Sequence, residues 1–248
     1  MKKCLLGILL CAILLPLNLK AAEVTLTDQE MNERITYIQQ ALNDGESAGR
    51  LWWSGFTFVY GVAAAYQLNT GLRFEDENRP ANIVGGTKSL LGALSLLVAP
   101  FPAAFAPDKL REFPDDNLAA KLEKAESLLK ASAEAEKMGK SWMNHALAIG
   151  VNTAGALVIG ITYKDYLKDR NESPEKEALA SLISGIIISE LQIWLQPSRA
   201  IDDWNKYEQR YISGKTYGES NKQDDSHYVF AAPVVTANSA GVVAGVFF

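Results

Sequence analysis

Few residues in this 248-residue chain have types and spacing suited to chemistry. Gly45-Glu46-Ser47-Ala48-Gly49 has the spacing that, on a strained strand-to-helix turn, presents a serine hydroxyl as a nucleophile. Asp202 or Asp203 and then His227 follow it in the chain order of acid and base. Metal ligation has less to build on. His145 and His227 are the two histidines, they are far apart, and neither belongs to an H-E-x-x-H or paired-histidine helix. Asp224-Asp225-Ser226-His227 reads as a solvated linker and Glu75-Asp76-Glu77 as a solvated loop. Gly85-Gly86 lacks the spacing and the Lys-Ser pair of a phosphate-cradling loop. No metal and no cofactor are expected.

The G-x-S-x-G segment resembles the nucleophile elbow of the α/β-hydrolase family. The resemblance covers five residues and implies a strand before Ser47, a helix after it and a series of parallel strands. The preceding residues have helical period instead, so Gly45 is expected to end one helix and Ser47 to cap the next. Without a catalytic constellation, the chain is expected not to be an enzyme.

More information lies in polar residues set within apolar segments. His145, Asn152, Glu190 and Gln192 are the candidate ligand-binding residues, because two apolar helices folding back on each other near residue 170 bring Asn152 opposite Ser189 or Glu190. A carboxyl in such a place needs a partner or loses its charge, since burying it bare costs several kcal/mol. Glu190 is therefore expected to meet Asn152, Gln192 or His145. The same contact serves equally as a hydrogen-bonded lock on helix register or as a ligand or proton site.

The elements that position these residues follow from periodicity. Thr27 and Glu30 form a capping box before Met31, Ile35, Ile38 and Leu42, and Asn43-Asp44-Gly45 reads as the helix stop. Four apolar, small-residue-rich stretches come next: Leu51 to Leu68, Ile83 to Ala99, Ala146 to Tyr163 and Ala178 to Leu195. Pro100, Pro102 and Pro107 are expected to end the second, and Ser173-Pro174-Glu175 opens the fourth. Between the second and third, residues 116 to 140 form a charged helix with Leu118, Leu122, Ala125 and Leu129 inward. Glu126/Lys130 and Glu136/Lys140 are its expected surface pairs, and Gly139 kinks or ends it. A short helix carries Ile201, Trp204 and Tyr211. The expected fold is mainly α: an antiparallel bundle of four small-residue-rich apolar helices, flanking amphipathic helices and a C-terminal β-hairpin at 227–248. A single hairpin is too small to close a membrane barrel of eight or more strands.

Residues 1–21 read as a secretory signal, with Lys2 and Lys3 before the apolar run Leu5 to Leu15. The helical domain is then 22–212, followed by a Gly/Ser-rich linker at 213–226. Cys4 and Cys11 lie inside the signal, so the mature chain is cysteine-free, which removes thiol catalysis, disulfides and thiolate metal sites. The whole chain has 24 basic and 29 acidic residues, and losing Lys2, Lys3 and Lys20 leaves 21 against 29, a net of −8. That balance argues against nucleic acid as a partner.

Small residues recur at i,i+4 as Gly61/Ala65, Ser89/Ala93, Ala146/Gly150/Ala154 and Ser181/Gly185/Ser189, a pattern that lets membrane helices approach closely. Four antiparallel passes put Trp52, Trp53, Trp142 and Trp194 at one end, as an aromatic belt would be. Against this, each stretch is near the lower length for a span and contains a polar residue: Gln67, Lys88, Asn152, or Glu190 with Gln192. A compact soluble bundle therefore stays open beside a membrane-embedded one. The expected function is a non-enzymatic, exported protein of a bacterial cell envelope, in the periplasm or a membrane. Its partners are membrane lipid or other envelope proteins, and its role is structural or in assembly. The alternative is an exported ligand-binding or transport accessory protein with a polar site inside the bundle. A third possibility is toxin-like insertion of the hairpin 146 to 195.

Overall fold

A computed structural model describes residues 26–213, together with the backbone of Tyr228–Thr236 and Ser239–Phe247. The expected signal, residues 214–226 of the expected linker and His227 lie outside the described residues. The described chain is mostly helical. Its helices are α1 (Asp28–Arg73), α2 (Arg79–Val98), α3 (Pro102–Arg111), α4 (Leu118–Gly139) and α5 (Trp142–Leu157). After a π turn at Val158–Thr162 come α6 (Lys164–Lys168), α7 (Pro174–Trp194) and α8 (Arg199–Tyr207), with a second π turn at Glu208–Ile212. The extended segments Tyr228–Thr236 and Ser239–Phe247 pair antiparallel, with Tyr228 opposite Phe247.

The longest element corrects the sequence expectation. α1 is one helix of 46 residues, about 70 Å long at 1.5 Å per residue, and it passes through Asn43-Asp44-Gly45 without a break. Asn and Asp stop helices when their side chains turn back onto the local backbone. Here they are engaged elsewhere: Asn43 Oδ1 accepts from Arg111 at 3.1 Å, and Asp44 pairs with Arg199 at 2.7 Å. Gly49, four residues beyond Gly45, lies against the backbone of Ala103 and Ala104 in α3. Tertiary contacts thus outweigh a local stop signal worth about 1 kcal/mol.

The start of α1 does follow from the sequence. Thr27 Oγ1 accepts from the Glu30 N–H at 3.3 Å, while Glu30 Oε2 accepts from the Thr27 N–H at 2.9 Å. Pro102 opens α3 instead of ending α2, and Pro107 lies inside α3, fully buried, where packing offsets the lost helical hydrogen bond.

Two environments divide the molecule along α1. Its first half packs with α3, α4 and α8 into a head whose core contains Ile35, Ile38, Leu42, Leu110, Leu122, Ala125, Leu129 and Tyr207. Ion pairs at the surface of this head link Glu46, Arg50, Asp108 and Arg111. The surface pairs expected on α4 are not formed. Lys130 lies 3.9 Å from Glu134, Glu126 accepts from the Tyr207 hydroxyl, and Glu136 is turned inward to α8.

Beyond about residue 50, α1 runs antiparallel to α2, and α5 runs antiparallel to α7. This half is apolar outside as well as inside. Phe58 is 71% exposed, Leu147 63% and Ile161 71%, and Leu94, Leu97, Leu179, Ile183 and Ile187 are also exposed. Three helical runs are long and apolar enough to cross a membrane: Arg79–Arg111, Trp142–Thr162 and Pro174–Ile212. The apolar half of α1 is not among them.

The small-residue stripes also need correction. Gly61 and Gly150 have open space where a Cβ would stand. The α1/α2 contact is instead made by Gly71 against Ile83, Gly86 against Leu68 and Gly92 against Tyr60. Ser181/Gly185/Ser189 does face a neighbour, α5.

Candidate functional site

The apolar half contains a seam of hydrogen-bonded polar side chains where α2, α5 and α7 meet. Period and packing put His145 and Asn152 on the same inward face of α5, while the exposed face carries Leu147, Gly150, Val151 and Ala154. Antiparallel pairing then sets His145 against Glu190, with Nδ1 2.7 Å from Oε2. Of its three expected partners, Glu190 meets this one. Asn152 Nδ2 donates to the Ser189 hydroxyl at 3.1 Å and to its own helix at Ala148 O at 2.9 Å.

Gln192 turns away from that pair toward α1. Its Oε1 accepts from the Tyr60 hydroxyl at 2.6 Å, and its backbone oxygen accepts from Trp52 Nε1 at 2.9 Å. The four candidates are thus split between two partners' faces: His145, Asn152 and Glu190 line the α5/α7 seam, and Gln192 closes the seam against α1.

Lys88 completes the seam. It is the one charged residue between Ala81 and Ala99, visible in the sequence as an intruder, but nothing in helical period tells which neighbour receives it. Its ammonium donates to Asn152 Oδ1 at 3.0 Å, and Ser181 Oγ and Ser181 O each lie at 3.4 Å. Gly155 and Gly185 make the space. A Cβ at Gly155 would stand 3.1 Å from Lys88 Cδ, and one at Gly185 would collide with Asn152 Oδ1. Ser181, Ser189, Gly155, Gly185 and Tyr60 join the site through this geometry.

The tryptophans mark the end of the seam nearest the head. Trp52 is tied to Gln192 and Trp53 to Leu96 O at 2.8 Å, while Trp142 opens α5 and Trp194 closes α7. Both Trp142 and Trp194 are highly exposed. At the opposite end the loops between helices are tied together: Tyr166 donates to Asp76 O at 2.9 Å, and Arg170 stacks 3.8 Å above the Tyr166 ring.

Ser47 is exposed in the middle of α1, with no strand before it, so it is neither a nucleophile elbow nor a helix cap. Among the described residues no group of three or more His, Cys, Asp or Glu is placed to hold a metal ion. Two clefts lie in the head, one bordered by Gln39, Leu42, Pro107 and Arg111 and one by Phe105, Asp108 and Glu112. Neither is lined by His145, Asn152, Glu190 or Gln192. The seam's hydrogen bonds link α2 to α5 and α5 to α7. Comparison with protein-family models, with curated proteins and with solved structures finds no match.

Proposed function

We propose that this chain is a non-enzymatic protein of a bacterial cell envelope, exported through residues 1–21 and embedded in a membrane, where it has a structural or assembly role. In this reading the apolar half of α1 joins α2, α5 and α7 as one four-helix antiparallel bundle within the lipid. The head stands outside it, and residues 227–248 form a separate hairpin. The observation that carries the proposal is the outward display of large apolar side chains on helices that already have a hydrogen-bonded interior. In α7, 6% of the most apolar stretch is buried. A monomer in water rarely leaves apolar patches beyond a few hundred Å² uncovered, whereas lipid covers such a face without cost. The exposed tryptophans at one end suit the interface between lipid and water.

Carbonate extraction of the full chain in its native membranes tests the proposal. The protein is expected to remain in the pellet, and recovery in the soluble fraction overturns membrane embedding.

A further inference from the structure

We infer that α2 is a membrane segment dependent on the α5/α7 pair: it stays in the apolar layer only while Lys88 is seated on Asn152 and Ser181. This rests on the membrane reading above. Lys88 is nine residues from the first residue of α2 and ten from the last, so about 14 Å of helix separates it from either end. A lysine stem reaches about 6 Å, too short to carry the ammonium to the interface from mid-layer. On an isolated α2 its charge would be left in hydrocarbon, which costs at least ~2.5 kcal/mol on insertion scales.

The seat removes that cost by satisfying the three ammonium donors with three acceptors, Asn152 Oδ1, Ser181 Oγ and Ser181 O. No ion pair among the described residues involves Lys88, so these neutral acceptors alone receive it. Asn152 is held for the task. Its amide nitrogen is committed to Ser189 and Ala148, which turns its oxygen to Lys88. Gly155 and Gly185 clear the path, since a side chain at either would press on Lys88 or Asn152. The acceptors all come from α5 and α7 and none from α1, the helix beside α2 in the chain. Insertion of α2 is therefore conditional on a segment that follows it by more than forty residues.

Cysteine accessibility tests this. Cys4 and Cys11 are the only cysteines in the sequence, so a Cys4→Ser/Cys11→Ser background carrying Leu91→Cys reports on the outer face of α2. In native membranes, a membrane-impermeant maleimide is expected to label this parent slowly. Adding Asn152→Leu is expected to raise the labelling rate about tenfold or more, and adding Lys88→Leu to Asn152→Leu is expected to return it to the parent's rate. Asn152→Leu that labels like the parent overturns the inference, as does a double variant that labels as fast as Asn152→Leu. A parent that labels rapidly yet resists carbonate also overturns it. A parent released by carbonate instead overturns the membrane reading, so the two failures are distinguishable.

Discussion

Glu136→Gln is expected to make α8 more stable at pH 8 and to leave it unchanged near pH 4. The Glu136 side chain is 1% exposed, and its Oε2 accepts from the Ile201 N–H at 3.1 Å, in the first turn of α8. It stands where α4 passes into α5 and α7 passes into α8, beside Gln196, which donates to Ala135 O and Glu136 O. Burial pushes its carboxyl up to about 7 from an ordinary 4.5. The hydrogen bonds from Ile201 and Ala200 and the charge of Lys140 oppose this without cancelling it, and Asp203 adds to it.

A folded-state value above the unfolded one means that the native protein holds the proton more tightly. The contribution to stability is complete below about pH 4.5, falls as pH rises, and is lost above about pH 7. At 1.36 kcal/mol per unit, the loss amounts to roughly 3 kcal/mol at most. Glutamine keeps an oxygen for the Ile201 N–H and has no charge to bury, so the variant's pH profile is expected to be flat across this range. Amide exchange of residues 200 to 204, corrected for intrinsic rate, measures it. Equal protection of the two proteins at about pH 8 would refute the assignment.

The sequence revealed those features that depend on neighbours within one helical turn. The Thr27/Glu30 box, the Ser173 cap with Pro174 after it, and the inward stripe of α4 are all set by i,i+3 and i,i+4 relations, and all are present. What period could not supply was the partner across space. Asn43-Asp44-Gly45 has the composition of a stop, yet the groups that cancel the stop are Arg111 and Arg199, the latter 155 residues away. Glu136 and Lys140 have the spacing of a surface pair, but α8 arrives over Glu136 and buries it. Lys88 interrupts an apolar run in the sequence, but the groups that receive it, Asn152 and Ser181, lie 64 and 93 residues later. Two of the small-residue stripes fail for the same reason, while Ser181/Gly185/Ser189 does meet α5. Spacing shows that Gly61/Ala65 and Ala146/Gly150/Ala154 each share a face, but only the packing decides whether that face looks inward.

Glycine substitutions should separate the two kinds of face most sharply. Gly49, Gly61 and Gly150 all lie inside helices, where alanine is intrinsically better by about 1 kcal/mol. At Gly61 and Gly150 nothing lies within 4 Å of an added Cβ, so Ala at either is expected to stabilise by about 0.5 to 1 kcal/mol. At Gly49 the Cβ would stand 2.9 Å from Ala104 N and 3.0 Å from Ala103 C. Those atoms are α3 backbone beside buried Ala104 and Ala106, and they have no rotamer to change, so α1 and α3 must move apart. Overpacking of this kind costs about 1 to 3 kcal/mol, which more than reverses the propensity gain. It also strains the network in which Arg50 and Arg111 share Asp108. Gly49→Ala is thus expected to lower the unfolding midpoint of the detergent-solubilised protein while Gly61→Ala and Gly150→Ala raise it. A stabilising Gly49→Ala would mean that α3 does not press on α1 at this point, and that α1 runs through residue 45 for some reason other than this contact.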